Sequence, residues 1–168
     1  MTVEILHAVS VIAAGVVAIA GASKLMSPES ARDALRAQRI PATSTMVRTL
    51  GAAEIVIGAA VFVTANRAAL AALATLYVAF AIFVARAARR GTPCGCLGGT
   101  RPTSAPAHMA HAVVNGFVAI VAATLMVVEV PGYESVAGRP LAVAGYVVLS
   151  VVGTVLGHEW LATETATR

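Results

Sequence analysis

Five stretches of this chain are apolar over about the 20 residues that a helix needs to cross the roughly 30 Å hydrocarbon core of a bilayer. They run from about Ile5 to Ser23, Met46 to Thr64, Ala68 to Ala85, Met109 to Val128 and Leu141 to Gly157. Lipid offers the backbone no hydrogen bonds, so runs of this kind are read as helices. The expectation is an all-α integral membrane protein. Residues 1–130 would form a four-helix transmembrane bundle, and residues 131–168 a loop, a fifth C-terminal span and a short tail. The fifth run is the shortest, and a tilted or interfacial helix is its alternative. Only 12% of the residues are charged, against about 25% in soluble domains. The mean hydropathy of +0.83 points the same way. Met1 to Ser23 carries no Lys or Arg before its apolar run. That run is longer than the core of a secretory signal, so it reads as a first span.

The connections carry the charge. Residues 24–45 hold Lys24, Arg32, Arg36 and Arg39 with Glu29 and Asp33. Ser27-Pro28-Glu29 predicts a helix start with Ser27 as the cap, and Ala31, Ala34, Leu35 and Ala37 give the helix a weak apolar face. A short interfacial helix ending before Pro41 is expected. Asn66-Arg67 predicts a minimal turn between the second and third spans. Lys24, Arg32, Arg36, Arg39 and Arg48 flank the first connection, and Arg86, Arg89, Arg90 and Arg101 the third. The other two connections have only Arg67 and Arg139. Basic loops stay in the cytoplasm. The amino terminus is therefore expected outside a bacterial cell membrane, with the first and third connections inside. The net charge of +4 is read as this loop bias and not as a nucleic-acid surface.

The two cysteines of the chain sit one residue apart in Pro93-Cys94-Gly95-Cys96-Leu97-Gly98-Gly99. Pro93 and the glycines predict a tight, exposed turn between two helices. Nearby arginines favour the thiolate, which is the form that attacks a disulfide or binds a soft metal. A disulfide closed over one intervening glycine is strained, and strained disulfides are the labile, oxidising kind. The pattern suits electron exchange better than stapling. The plain alternative is two cysteines resting in a loop.

Glu54 lies about 12 Å into its span, and an ionisable group there is a functional candidate by default. Lys24, at the end of the first span, is its expected partner. The pair would either fix helix register or handle protons. Asn115 lies about two turns into the fourth span. His108 and His111 stand at that span's entrance on one helical face. Cys94, Cys96, His108 and His111 have the residue count of a Zn, Cu or Hg site, although the one-residue Cys spacing is unusual for zinc. Alternation of the spans places Lys24, Glu54, the cysteine turn, His111 and Asn115 on one half of the bilayer. Glu4 and His7 fall at the opposite end, as interface anchors. The small residues Gly15, Ala18 and Ala22 in the first span, with Gly51 and Gly58 in the second, are expected to let helices pack closely.

These elements together resemble the MauE branch of the DoxX-like membrane proteins, named from methylamine utilisation. The matching stretches are Ala22-Ser23-Lys24-Leu25, Glu54, Asn115 and Arg90-Gly91-Thr92-Pro93-Cys94-Gly95-Cys96-Leu97-Gly98-Gly99. The resemblance covers about the first 130 residues. Leu97 stands where the family usually has Phe, and the fifth span is an addition to the usual four. The resemblance implies a membrane redox protein similar in outline to vitamin K epoxide reductase. It also implies a thioredoxin-like partner, a role in disulfide formation in exported proteins, and a quinone as cofactor. An exported substrate conflicts with a cytoplasmic cysteine turn, because disulfides form outside.

Three functions stay open at this point. The first is thiol–disulfide exchange through Cys94 and Cys96, with Lys24, Glu54 and Asn115 shaping a pocket below. The second is soft-metal binding or transport with His108 and His111. The third is a non-catalytic membrane subunit that anchors a redox partner. The topology is directly testable. In intact cells an impermeant thiol reagent should leave Cys94 and Cys96 unmodified while a permeant one labels both. Labelling from outside would invert the orientation.

Overall fold

The structure, a computed structural model, describes residues 2–64, 66–95 and 105–128, with side chains from residue 5 onward. The described residues form helices and no strand: α1 (Thr2–Met26), α2 (Glu29–Ala37), α3 (Ser44–Thr64), α4 (Arg67–Arg90) and α5 (Ala105–Val127). Helices α1, α3, α4 and α5 are each long and apolar enough to cross a membrane. The protein is an all-α integral membrane bundle. The loop and fifth span expected within 131–168 lie outside the described residues, as does Cys96.

Local chemistry explains where the helices stop. The third span was expected to end near Ala85, yet α4 runs on to Arg90. Ala and Arg are strong helix formers, and Arg89 and Arg90 in the last turn complement the negative end of the helix dipole. Charge ends the apolar span there, but it does not end the helix. Gly91 does, in a left-handed conformation (φ 61°) with its N–H donating to the Ala87 carbonyl. At the other end, Asn66 does more than turn the chain. Its side chain accepts from the Ala69 N–H at 2.9 Å and caps α4. Pro106 falls in the first turn of α5, where a missing N–H is harmless. The expected Ser27 cap is not used. The Ser27 N–H donates to the Ser23 carbonyl and so extends the α1 ladder, while Pro28 stands at the N-cap of α2 with no side-chain cap.

Helix α1 lies along α3, and α4 lies along α5; the two pairs then meet through less extensive α1–α5 and α3–α4 contacts. The α1–α3 seam is made backbone against backbone. A Cβ added at Gly21 would stand 2.5 Å from the Gly51 carbonyl oxygen, one at Gly51 2.6 Å from that of Gly21, and one at Gly58 2.5 Å from that of Ala14. Lipid supplies little hydrophobic drive between helices, so this close approach supplies the attraction through dispersion. Gly51, Gly58 and Ala18 are at the seam as expected from sequence. On α1 their companions are Ala14 and Gly21, where Gly15 and Ala22 were expected. The α4–α5 pair joins α1 over a core that includes Val17, Val61, Leu70, Leu73 and Leu125. The Tyr77 hydroxyl donates to the Ala13 carbonyl at 2.9 Å within that core. Val56, Ile82, Val113, Phe117 and Ile120 point outward, as side chains facing lipid do.

Helix α2 is strapped across the end of the bundle. Arg32 Nη1 donates to Ser44 Oγ at 3.3 Å, and Arg36 Nε to the Ala42 carbonyl at 3.1 Å. Gln38 Nε2 donates to the Phe83 carbonyl at 3.2 Å, while Arg90 Nη1 donates to the Gln38 carbonyl at 2.8 Å. The strap therefore ties the start of α3 to the end of α4. Because the α1–α3 seam has no room for a methyl group, Gly51→Ala and Gly58→Ala should each destabilise the bundle by about 1–3 kcal/mol. The outward-facing change Ala59→Leu should not. Thermal unfolding of the purified protein in nanodiscs checks this, and equal midpoints for all three would contradict the packing.

Candidate functional site

The same seam places two charges. Gly21 and Lys24 lie three residues apart on α1, and Gly51 and Glu54 three apart on α3, so each glycine shares a face with its charged neighbour. A Cβ at Gly51 would meet the Lys24 Cβ at 3.0 Å, and one at Gly21 would meet the Glu54 Cβ at 3.0 Å. The glycines thus make the space through which both side chains reach across. Lys24 Nζ lies 2.7 Å from Glu54 Oε2, with side-chain exposures of 7% and 0%. Lys24 Nζ also donates to the Ala20 carbonyl at 3.4 Å and stands 5.7 Å from the centre of the Phe80 ring. Glu54 Oε1 has no hydrogen-bond partner among the described residues. Glu54 is about 15 Å along α3 from Ser44, beneath the α2 strap.

Lys24 is the only lysine of the chain; every other basic side chain is arginine. Arginine stays charged under all conditions, whereas lysine is a compact point charge that can release its proton when buried. The lysine count is a signal that the sequence carries and that span-by-span reading passed over. Burial also corrects the count of loop charges, because Lys24 is neutralised by Glu54 and is not a loop cation. Arg36, Arg39, Arg48, Arg86, Arg89 and Arg90 remain exposed, so the basic bias of that end survives without it.

The cysteine turn stands over this pair. Cys94 is half-buried, and Gly95 is buried at φ 59°. A Cβ at Gly95 would lie 2.7 Å from the Ser30 carbonyl oxygen and 2.8 Å from the Ala34 Cβ. The residue between the cysteines therefore has to be glycine twice over, for its positive φ and for its seat on α2. Ala31 and Ala34 are buried in that contact region and Leu35 is half-buried, whereas Ala37 is exposed and takes no part in the apolar face. A cavity of about 190 Å³ lies below the turn, walled by Leu35, Leu50, Leu76, Phe80 and Phe83. Lys24, Cys94 and Gly95 also line it. A second cavity of about 50 Å³ lies on the other side of Lys24, lined by Val16, Val17, Ala20, Tyr77, Phe80, His111 and Asn115.

Structure thus brings Lys24 together with Glu54, with Cys94 and with His111 and Asn115. His108, at the start of α5, is buried at 3% exposure. Among the described residues no three His, Cys, Asp or Glu side chains gather closely enough to hold a metal ion. Phe80, Tyr77 and Gln38 were not singled out from sequence. Tyr77 is a polar tip in an apolar run, a pattern that usually needs a partner and was legible. Gln38 sits in a polar connection, and only its contacts with α4 distinguish it.

A family model described as "Methylamine utilisation protein MauE" matches residues 2–128. No curated protein matches the chain, and no solved structure does.

Removing one partner of a buried ion pair strands the other charge, which costs about 3–5 kcal/mol. Lys24→Met and Glu54→Leu should each destabilise the bundle on that scale. The double variant should recover much of the loss, because no charge is left behind. A thermal-unfolding double-mutant cycle in nanodiscs measures this coupling, and additive effects would contradict the pairing.

Proposed function

The chain belongs to the MauE family, and on that premise we propose that it exchanges thiols and disulfides at a membrane face through Cys94 and Cys96. The observation that carries this reading is the wall shared by Cys94 and Lys24 below a turn that only glycine can make. The thiolate is the nucleophile, and the exposed arginines that precede the turn, Arg89 and Arg90, favour it. Gly95, seated against Ser30 and Ala34, holds the neighbouring Cys94 at a fixed place on α2.

One cysteine attacks a disulfide of the partner as its thiolate. A bond forms between the two sulfurs, and the partner's second sulfur leaves and takes a proton. The other cysteine then gives up its proton and attacks the mixed disulfide. This closes the Cys94–Cys96 disulfide and releases the partner's first sulfur as a thiol. Two electrons pass from this protein to the partner, and the reverse sequence carries them back. A thioredoxin-like protein is the partner that the family resemblance implies. By the arginines of its loops the turn faces the cytoplasm of a bacterial cell, where a soluble thioredoxin-like domain can reach it. Lys24, Glu54 and Asn115 form the polar floor beneath the exchange.

The family's fold relatives also imply a quinone. The cavity under the turn suits such a group in kind: its walls are aliphatic and aromatic, with one ammonium-bearing side chain among them. Bound there, a quinone would supply a lipid-soluble acceptor for two electrons and two protons. Leu35, Leu50, Leu76, Phe80 and Phe83 would hold its ring, and Lys24 would face its oxygen. The soft-metal reading draws no support from the donor geometry of the described residues.

Replacing each cysteine singly by serine, in the producing cell, tests the proposal. One of Cys94→Ser and Cys96→Ser should accumulate a mixed disulfide with a thioredoxin-like protein, visible by mass spectrometry after non-reducing electrophoresis. The double variant should trap nothing and lose exchange activity. Full activity in the double variant would leave only an anchoring role.

A further inference from the structure

The smaller cavity, on the α5 side of Lys24, has a feature that the thiol chemistry leaves unexplained. Asn115 lines it, is 5% exposed, and its side-chain amide hydrogen-bonds no described residue. An amide has two donors and an acceptor with two lone pairs, and burying it unsatisfied is costly. Buried polar groups that lack a protein partner are ordinarily served by water. The space is there: about 50 Å³, against the roughly 10–15 Å³ that a cavity needs to hold one water. So are the other polar groups, since Lys24, His111 and Tyr77 share the lining.

The order of these groups along the helices matters. His111 is half-buried and lies nearer the start of α5, with Asn115 one turn deeper, about 6 Å further along the axis. Lys24 lies near the end of α1, and Val16 and Val17 lie about two turns deeper on the same helix. Lys24 and His111 lie nearest the membrane face, Asn115 is one turn deeper than His111, and the Tyr77 hydroxyl bonds the Ala13 carbonyl beyond Val16 and Val17 along α1. The charged and titratable groups facing Lys24 are Glu54 from α3, Tyr77 from α4, His111 from α5 and Cys94 beyond the end of α4.

We infer that this cavity is a built water site. Its waters bridge the Asn115 amide to the Lys24 ammonium and continue past His111 to the aqueous face. They give the buried ion pair a proton connection that the apolar cavity on the other side of Lys24 does not provide. A proton leaving Lys24 passes to a water and out past His111, and one returns by the same way. No electron moves and no other bond is made or broken. The proton role rests on the thiol-exchange proposal; the hydration does not.

Hydroxyl-radical footprinting in nanodiscs reads hydration directly, because radicals form from water next to the labelled side chain. Tyr77 and Phe80 should label in the wild type although Tyr77 is buried in the bundle. Asn115→Leu should lower the labelling of Tyr77 several-fold by filling and drying the cavity. Asn115→Ser, smaller and still polar, should keep it within about twofold of wild type, which controls for misfolding. Unlabelled Tyr77 in the wild type, or equal labelling in all three proteins, would overturn the water site. Where thiol exchange is measurable, Asn115→Leu should slow it and raise its solvent deuterium isotope effect. Unchanged turnover with a dried cavity would overturn the proton role alone. Because labelling needs no redox activity, failure of the exchange reaction would leave the hydration result standing.

Discussion

Hydrocarbon does not tolerate an isolated charge, and this chain places an ammonium and a carboxylate well inside its bundle. Lys24 and Glu54 meet at 2.7 Å, so each removes most of the penalty of the other. Such a pair is a weak source of net stability, because desolvation offsets most of the Coulomb attraction. Its larger effect is to exclude alternatives. Any sliding of α1 along α3 by one turn would separate the charges by about 5 Å and strand both in lipid. The glycine seam then has only one register in which Gly21 faces Gly51 and Gly58 faces Ala14. Packing and charge specify the same arrangement, a consistency that defines a single native state.

The site is built outward from that fixed point. Helix α2 is held over the pair by hydrogen bonds to both α3 and α4, and it serves as the surface on which Gly95 rests. The cysteine turn is therefore located by a chain of contacts running from the ion pair through the bundle end and α2 to the backbone between the thiols. Lys24 borders both cavities, one with Cys94 and one with His111 and Asn115. A single side chain thus joins the place where sulfur chemistry is proposed to the place where water can enter. That dual position also accounts for lysine in a chain otherwise basic through arginine. A permanently charged guanidinium could hold α3, but it could not give up a proton.

Much of this was legible because the bilayer imposes simple rules. Apolar length identified the four described spans, and alternation of spans put Lys24, Glu54 and Asn115 on the same side. The need of a buried acid for a base made Lys24 the obvious partner. What escaped the sequence depends on contacts between distant segments. Arg86 to Arg90 looked like loop because they are charged, yet charge at a helix carboxyl end favours the helix. Gly95 read as part of a tight, exposed turn, and it is buried. Its actual constraint comes from Ser30 and Ala34, some sixty residues earlier in the chain, and no local pattern announces it. His108 stands at the entrance of its span by sequence, and only tertiary packing buries it.

The claim on which the account stands is that Lys24 and Glu54 form an ionised pair inside the membrane. Infrared difference spectroscopy of the protein in lipid bilayers at neutral pH, comparing wild type with Glu54→Gln, tests it with few assumptions. The account predicts loss of a carboxylate band on substitution, and retention of a fold with the same amide I profile. Loss of a protonated carboxylic-acid carbonyl band in its place would show a neutral pair and contradict the account.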